Sequence, residues 1–451
     1  MSAIAQILCP LIDFLAFIWY NFLKDVLQGE KMKNRIITLG LLFVIFCNLV
    51  LTSCLKLKDP SEDPEDDPGD GTFELSKEKV EGALEFALEK IDYALPTFTN
   101  KFPDHASVNN VYPAVDNNAG WNTGFWTGIL WHAYQLTGEF KYKEVASSQI
   151  DSFYNRIDKR LGVDFHDMGF LYTPSCVAAY KITGDETAKE AALMAADNLI
   201  SRYHEKGEFI QAWGSVGSAS EYRLIVDCLM NIPLLYWATE VTGDTKYRDV
   251  AYKHFTSTVN LCYREDGSTY HTYFFDPETG EPVKGTTYQG VSDDSTWARG
   301  QTWAMYGPLL TYIYEQNDEA LDAFTAAADY YLAHLPSDYV PYWDLSFTDG
   351  AYEPKDSSSA SIAVCALLEG AKHLDESDSR REKYLDAAKH IMNSLIDNYT
   401  TEFHYKANGL LLHGTYNKPS GTGIDEMTIW GDYFFMEAIH RLLDPEWDLY
   451  W

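Results

Sequence analysis

Asp227 lies in the run Leu224-Ile225-Val226-Asp227-Cys228-Leu229-Met230, a carboxyl inside what reads as an apolar helix facing the interior. Aspartate is almost never buried without a partner or a purpose. The structural alternative is an ion pair with Arg223, one turn away. The chemical one is a carboxyl that keeps its proton near neutral pH and serves as an acid. Asp167, in His166-Asp167-Met168-Gly169-Phe170, is the second candidate, and its plain alternative is a helix N-cap. Two carboxyls at one mouth drive their pKa values apart, leaving one protonated. Around them the chain repeats a polar-aromatic cluster: Asp116-Asn117-Asn118 with Trp121, His166-Asp167, Arg223 with Asp227, Asp293-Asp294 with Arg299, Lys355-Asp356-Ser357, and Asp425 with Trp430 and Asp432. Asp116, Asp356 and Asp425 fit N-caps equally well. Flat apolar sugar faces stack on indole rings, which makes Trp121, Phe125, Trp213 and Trp303 candidates, while Trp126 and Trp297 read as packing residues. Arg299, His271 and Gln289 suit a carboxylate or hydroxyls.

The elements that must position these groups follow from a repeat. Trp131–Ala146 (WHAYQLTGEFKYKEVA), Ala179–Ala192 (AYKITGDETAKEAA) and Tyr236–Ala251 (YWATEVTGDTKYRDVA) each read as the end of an apolar helix, a Thr-Gly turn and the start of a second helix. Glycine supplies the left-handed C-cap, and the acid after it suits the next helix N-terminus. Such recurrence signals stacked helical hairpins. Amphipathic or charged helices are expected near 76–94, 140–160, 186–204, 245–262, 318–335 and 378–398. More apolar ones are expected near 121–136, 168–182, 222–241, 295–315, 357–373 and 427–443. Helices apolar all round must be buried and amphipathic ones face water, so the alternation predicts an all-α (α/α)6 barrel, six helices inside six. Residues 267–290 read instead as a small β-hairpin insertion. With the inner helices parallel, the six clusters meet at one mouth, where helix N-termini favour anionic ligands.

Composition bounds the partners. The 451 residues are 46% hydrophobic and 15% aromatic, enough for a large core and too apolar for a disordered chain. Thirty-five Lys and Arg against 67 Asp and Glu give a net charge of -32, which argues against nucleic acid. Residues 36–51 are apolar and follow Lys31, Lys33 and Arg35, the pattern of a secretory signal. They end in Leu51-Thr52-Ser53-Cys54, which resembles a bacterial lipobox with Cys54 as the lipidated residue. Met32 then reads as the start, residues 1–31 as a mis-assigned extension, and 32–53 as the signal. Residues 54–73 carry seven acids and three prolines between Asp59 and Asp70 and read as a solvated tether, with the catalytic or binding body at 74–451. A periplasmic or outer-membrane lipoprotein is expected. The cysteines show neither paired nor zinc-like spacing, so no disulfide framework and no metal are expected.

The candidate residues also carry a resemblance. The strings WNTGFWTGILWHAY, HDMGFLY, QAWG, IVDCLMNIPLLYWA, YHTYFFDP, TYQGVSDDSTWARGQTW, YWDL with KDSSSASI, and IWGDYFF resemble glycoside hydrolase family 88, the unsaturated glucuronyl hydrolases, in order from about residue 76 to 443. The resemblance implies an (α/α)6 barrel and a substrate class. The substrates are lyase-generated oligosaccharides, glycosaminoglycan or similar, whose non-reducing-end uronic acid carries a C4=C5 double bond. It implies removal of that sugar by hydration of the enol ether, with Asp227 as general acid/base and Asp167 as the second essential carboxyl. It places Trp121, Trp213, His271, Gln289, Arg299 and Trp303 at substrate-contact positions, with Arg299 a bidentate partner for the substrate carboxylate. An ionised Asp167 would stabilise the oxocarbenium-like centre. No cofactor is implied.

The sequence departs from the family in one stretch. Members that favour sulfated substrates carry Ser-x-x-Ser-x-Lys before the IWGDY motif, where this chain has Asn417, Ser420 and Thr422, with Lys418 a partial substitute. Two other functions stay open on the residues alone. One is an inverting glycosidase acting on saturated uronides, with carboxyls ~6.5–9.5 Å apart. The other is a non-catalytic glycan-binding surface lipoprotein.

Overall fold

The computed structural model describes residues 75–451. The extension at 1–31, the signal at 32–53, the tether read at 54–73 and Cys54 lie outside the described residues.

The alternation of apolar and amphipathic segments becomes two concentric rings. The outer helices are α1 (Lys77–Phe98), α3 (Phe140–Asp158), α6 (Glu186–Ile200), α8 (Lys246–Cys262), α10 (Asp318–Ala333) and α12 (Ser379–Ser394). The inner ring is formed by α2 (Thr123–Thr137), then α4 (Met168–Tyr172), a π-helical turn (Thr173–Val177) and α5 (Ala178–Thr183), then α7 (Pro233–Thr242), α9 (Ala298–Glu315), α11 (Ser357–His373) and α13 (Ile429–Leu443). Each inner element packs on the next, and α13 returns to α2, which closes an (α/α)6 barrel. α9, α11 and α13 are buried nearly all round, whereas α3 and α12 bury one stripe, as their sequences require.

The Thr-Gly turns act as the repeat predicts. Gly138, Gly184 and Gly243 end α2, α5 and α7 at φ 71°, 71° and 73°, and their N–H groups reach the carbonyls of Tyr134, Tyr180 and Thr239. Asp185 then caps α6 through the N–H groups of Thr187 and Ala188.

The third inner segment differs from its prediction. Instead of one helix over 222–241, Arg223–Ile225 form strand β5, Val226–Met230 a 3-10 turn, and α7 begins at Pro233. The cause is tertiary. The hairpin expected at 267–290 is present as β6 (Thr272–Phe275) and β7 (Pro282–Thr286), and β6 also captures β5, with Ile225 opposite Thr272 and Arg223 opposite Phe274. Four two-residue strands make two further small sheets, β1 (Phe102–Pro103) with β2 (Ala114–Val115) and β3 (Tyr203–His204) with β4 (Phe209–Ile210). A last hairpin, β8 (Gly414–Asn417) with β9 (Thr422–Glu426), precedes α13.

The segment 444–451 folds under the barrel. Trp451 is buried, stacks on Phe434 of α13 at 5.8 Å and 8°, and donates its indole N–H to Glu437 Oε2 at 2.8 Å. Trp447 and Tyr450 share Gln135 Oε1 at 3.0 and 2.6 Å. Beside them Arg441 lies between Glu437 and Glu369, a buried ion-pair network. No described helix is long and apolar enough to cross a membrane.

Candidate active site

At the N-terminal ends of the inner helices lies a cavity of about 140 Å³. Trp121, His166, Asp167, Trp213, Asp227, Gln289, Arg299 and Trp303 line it, as do Trp297 and Tyr416. Of the eight residues assigned to catalysis and substrate contact by the resemblance, only His271 lies behind the wall, its Nε2 4.0 Å from Asp227 Oδ1.

Asp227 sits on the 3-10 turn rather than inside a helix, and its side chain is 17% exposed. Arg223 is not its partner. That guanidinium pairs with Glu221 and lies 4.3 Å from the Trp213 ring centroid. Asp227 Oδ1 is buried without a hydrogen bond, and burial pushes this carboxyl up to about 7 against the pull of Arg299. His271 is fixed by the same backbone, because Val226 N–H donates to the His271 carbonyl at 3.0 Å, one step beyond the β5–β6 register. Its Nδ1 accepts the Tyr288 N–H at 2.9 Å, so the proton of the neutral ring is on Nε2, facing Asp227. Burial, Arg299 and Arg223 keep the ring neutral by lowering its pKa to about 3. An unpartnered donor and an unpartnered carboxyl oxygen thus face each other across a gap.

Asp167 occupies the N-cap position of α4 but makes no side-chain cap bond. Its Oδ1 lies 3.3 Å from His166 Nε2. Burial and the charge of Asp227 raise its pKa well above the ordinary carboxylate value, opposed by Arg202 and Arg156. Both causes favour the neutral form of Asp167 over the ionised form expected from the sequence. Two carboxyls in one poorly solvated pocket titrate as a pair, and each charge favours the proton on the other.

Asn231 joins the two carboxyl segments, and sequence analysis missed it. Fully buried, it accepts the Phe170 N–H at 2.8 Å through Oδ1 and donates through Nδ2 to the Asp227 carbonyl at 3.2 Å. Gly169 permits this approach, since a Cβ there would lie 2.4 Å from Asn231 Cα. The buried amide in the apolar run MNIPLL was the available signal.

Arg299 lines the cavity, but not as a free fork. Nη1 donates to Asp356 Oδ2 at 2.7 Å and to the Thr415 carbonyl at 2.8 Å. Nη2 donates to Gln289 Oε1 at 3.0 Å and to the Tyr416 carbonyl at 2.6 Å. All four terminal hydrogens are in use, so the bidentate clasp of a substrate carboxylate is not available in this arrangement. Arg299 instead ties α9, α11 and β8 together, lying against Trp297 at 4.5 Å and Trp430 at 4.9 Å.

The aromatic walls divide by role. Trp121 stands 4.9 Å from Trp430 and donates its indole N–H to Tyr416 Oη at 3.2 Å. Trp213 donates to Glu221 at 2.6 Å. Trp303 packs on Phe170 at 5.0 Å at the cavity floor. Trp126 packs against Phe98, as its position suggests, while Trp297 both packs on His271 and lines the cavity. Tyr416 had no periodic signal, since it lies on a four-residue strand.

The six clusters do not all converge. Asp116 is exposed beside Lys101, and Lys355 pairs with Asp338. Asp293 binds the Thr287 N–H. Asp356 is both the α11 N-cap and the Arg299 partner. Asp425 faces His413 at the surface, and Asp432 binds Tyr112 and the Leu411 N–H away from the cavity. Lys418 is held by Glu353 at 3.1 Å, and Ser420 is turned onto Thr422 at 3.0 Å. Among the described residues no group of three or more His, Cys, Asp or Glu is placed to hold a metal ion. Cys176, Cys228, Cys262 and Cys365 are buried and free.

Two largely buried carboxyls held above the ordinary carboxylate range, walled by indole rings at one mouth of an (α/α)6 barrel, fit a carbohydrate-processing hydrolase. The chain belongs to Glycosyl Hydrolase Family 88, whose model matches residues 90–442. It is similar to the unsaturated chondroitin disaccharide hydrolase of Streptococcus pneumoniae, with 48% identity over 377 residues, 84% of this chain and 95% of that protein. The crystal structure of unsaturated glucuronyl hydrolase from Streptococcus agalactiae superposes with a TM-score of 0.82 at 48% identity, covering 84% of this chain and 94% of that one. An Asp-to-Asn variant from the same organism, solved in complex with dGlcA-GalNAc6S, gives a TM-score of 0.75 at 44% identity over the same shares.

Proposed function

We propose that this glycoside hydrolase removes the 4,5-unsaturated uronic acid from the non-reducing end of lyase-generated glycosaminoglycan disaccharides, of the chondroitin or hyaluronan type. The observation that carries the proposal is the environment of Asp227, whose pKa of about 7 is matched to proton transfer at neutral pH. Protonated Asp227 gives its proton to C4, and the C4=C5 electron pair forms the new C–H bond. Positive charge then develops at C5 and the ring oxygen, beside the carboxylate just formed. That carboxylate takes a proton from water as the water oxygen bonds to C5. The resulting hemiketal opens, and the remaining sugar is released from C1. One water is consumed and Asp227 is regained in its acid form. His271 Nε2–H, facing Asp227, orients the water, and Asp167 keeps its proton and donates a hydrogen bond to the sugar. Trp121, Trp213 and Trp303 hold the ring faces, and Gln289 and Arg299 shape the wall at the substrate carboxylate.

The hairpin supports an unsulfated aglycone. Lys418 is neutralised by Glu353, and Asn417, Ser420 and Thr422 present no cation. Residues 74–451, incubated with unsaturated chondroitin disaccharides, are expected to consume the ultraviolet absorbance of the double bond, faster without sulfate than with it. A persistent absorbance with folded protein, together with cleavage of a saturated uronide, would transfer the assignment to an inverting glycosidase.

The same proposal extends to location. Cys54 is read as a lipid anchor that places the enzyme in the periplasm or at the outer membrane, supported by the apolar run 36–51 and the small residues before the cysteine. Mass spectrometry of the mature chain is expected to find a lipid on Cys54, and an unmodified N-terminus elsewhere removes the anchor.

A further inference from the structure

Tyr288 is 55% exposed, although its neighbour Gln289 lines the cavity. Its ring stands 5.6 Å from Trp213, edge to face at 62°, so it extends the Trp213 wall outward from the mouth. The loop that presents it is held without help from the ring. Thr287 N–H reaches Asp293 Oδ1 at 3.0 Å, and Gly290 N–H reaches Thr287 Oγ1 at 2.7 Å. Fully buried Asp344, in the YWDL motif, accepts the Val291 N–H at 3.0 Å and the Ser295 hydroxyl at 2.7 Å through one carboxylate oxygen. The Tyr288 N–H is fixed on His271. A tyrosine with two side-chain torsions, carried on a backbone this constrained, offers a stacking face at small entropic cost.

We infer that Tyr288 is the stacking platform for the sugar next to the unsaturated residue, and so a specificity-determining residue that distinguishes oligosaccharide substrates from glycosides with small aglycones. The inference rests on reading the cavity as the site of the unsaturated sugar. A 140 Å³ cavity has the scale of one ring, so the second ring lies at the rim, where an exposed aromatic face stands beside Trp213. Hydrogen bonds alone do not recognise that ring's apolar face, whereas a phenol ring does.

The test compares an unsaturated chondroitin disaccharide with the methyl glycoside of the 4,5-unsaturated uronic acid, following the absorbance of the double bond. In Tyr288→Ala the preference for the disaccharide is expected to fall about tenfold, mainly through KM, and Tyr288→Phe is expected to regain it. An unmoved preference in Tyr288→Ala overturns the platform. An equal loss on both substrates also overturns it, because Tyr288 would then act through His271 or Trp213 rather than on the second sugar. If the parent enzyme consumes neither compound, the reading of the cavity fails and this inference with it.

Discussion

Asp227→Asn is expected to lower kcat by roughly 10³-fold or more while leaving disaccharide affinity within a few-fold, because one carboxyl both gives and takes the proton. Equilibrium binding together with the absorbance assay separates the two effects, and a variant that retains a tenth of the parent rate excludes Asp227 as the acid/base. In the parent enzyme the acid form is lost as pH rises, so kcat/KM is expected to decline through about 7. Stability responds with the same sign. A carboxyl that titrates near 7 when folded and ~4 when unfolded binds its proton more tightly in the native state. Its contribution is therefore full below ~4 and is lost as pH rises towards 7, a difference on the order of 4 kcal/mol. Asparagine does not titrate, so Asp227→Asn is expected to be more stable than the parent at pH 8 and to lose that advantage at pH 4. Denaturant unfolding at the two pH values checks it.

The second large effect concerns Arg299. Removing its guanidinium leaves Asp356, fully buried, without the ion partner at 2.7 Å, and strips hydrogen bonds from two carbonyls of β8 and from Gln289. Breaking a buried pair from one side costs ~3–5 kcal/mol, and Arg299→Ala is expected to fall in that range by urea denaturation. Arg299→Lys keeps the charge but cannot serve four acceptors in a plane, so only part of the loss is expected to return. The Asp227 proton should also be held more tightly, moving the decline in kcat/KM to higher pH, since Arg299 is the charge that favours its ionised form. A loss below 1 kcal/mol, with an unshifted profile, would show that Arg299 is neither the tie nor the field described.

Periodicity and turn chemistry made the barrel legible. Leu136-Thr137-Gly138 and its two counterparts carry both the end of an inner helix and the left-handed cap that ends it, so the helix pairs follow from short strings. Asp227 was legible as an anomaly but not as a placed group. Residues 223–225 satisfy a helical pattern locally, and only pairing with β6, 47 residues further on in the case of Ile225 and Thr272, pulls them into a strand. Arg299 shows the opposite failure. Its type suggested a clasp, but Asp356 and the carbonyls of Thr415 and Tyr416 come from distant segments, and no spacing announces that they use up its donors. Asp432 lies on the same inner helix as Trp430 yet faces Tyr112, because neighbours on a helix point in different directions.

The stacked Trp451 and Phe434 beneath Trp303 and Phe170 give the barrel a closed bottom. Both products must therefore leave by the way the substrate entered, and their order of departure is set. The outer sugar goes first, and the uronic fragment, enclosed beneath it, goes last. Each oligosaccharide is then visited once, because the trimmed product carries no C4=C5 bond left to hydrate. The last fragment to leave is the one whose accumulation should compete with the next substrate.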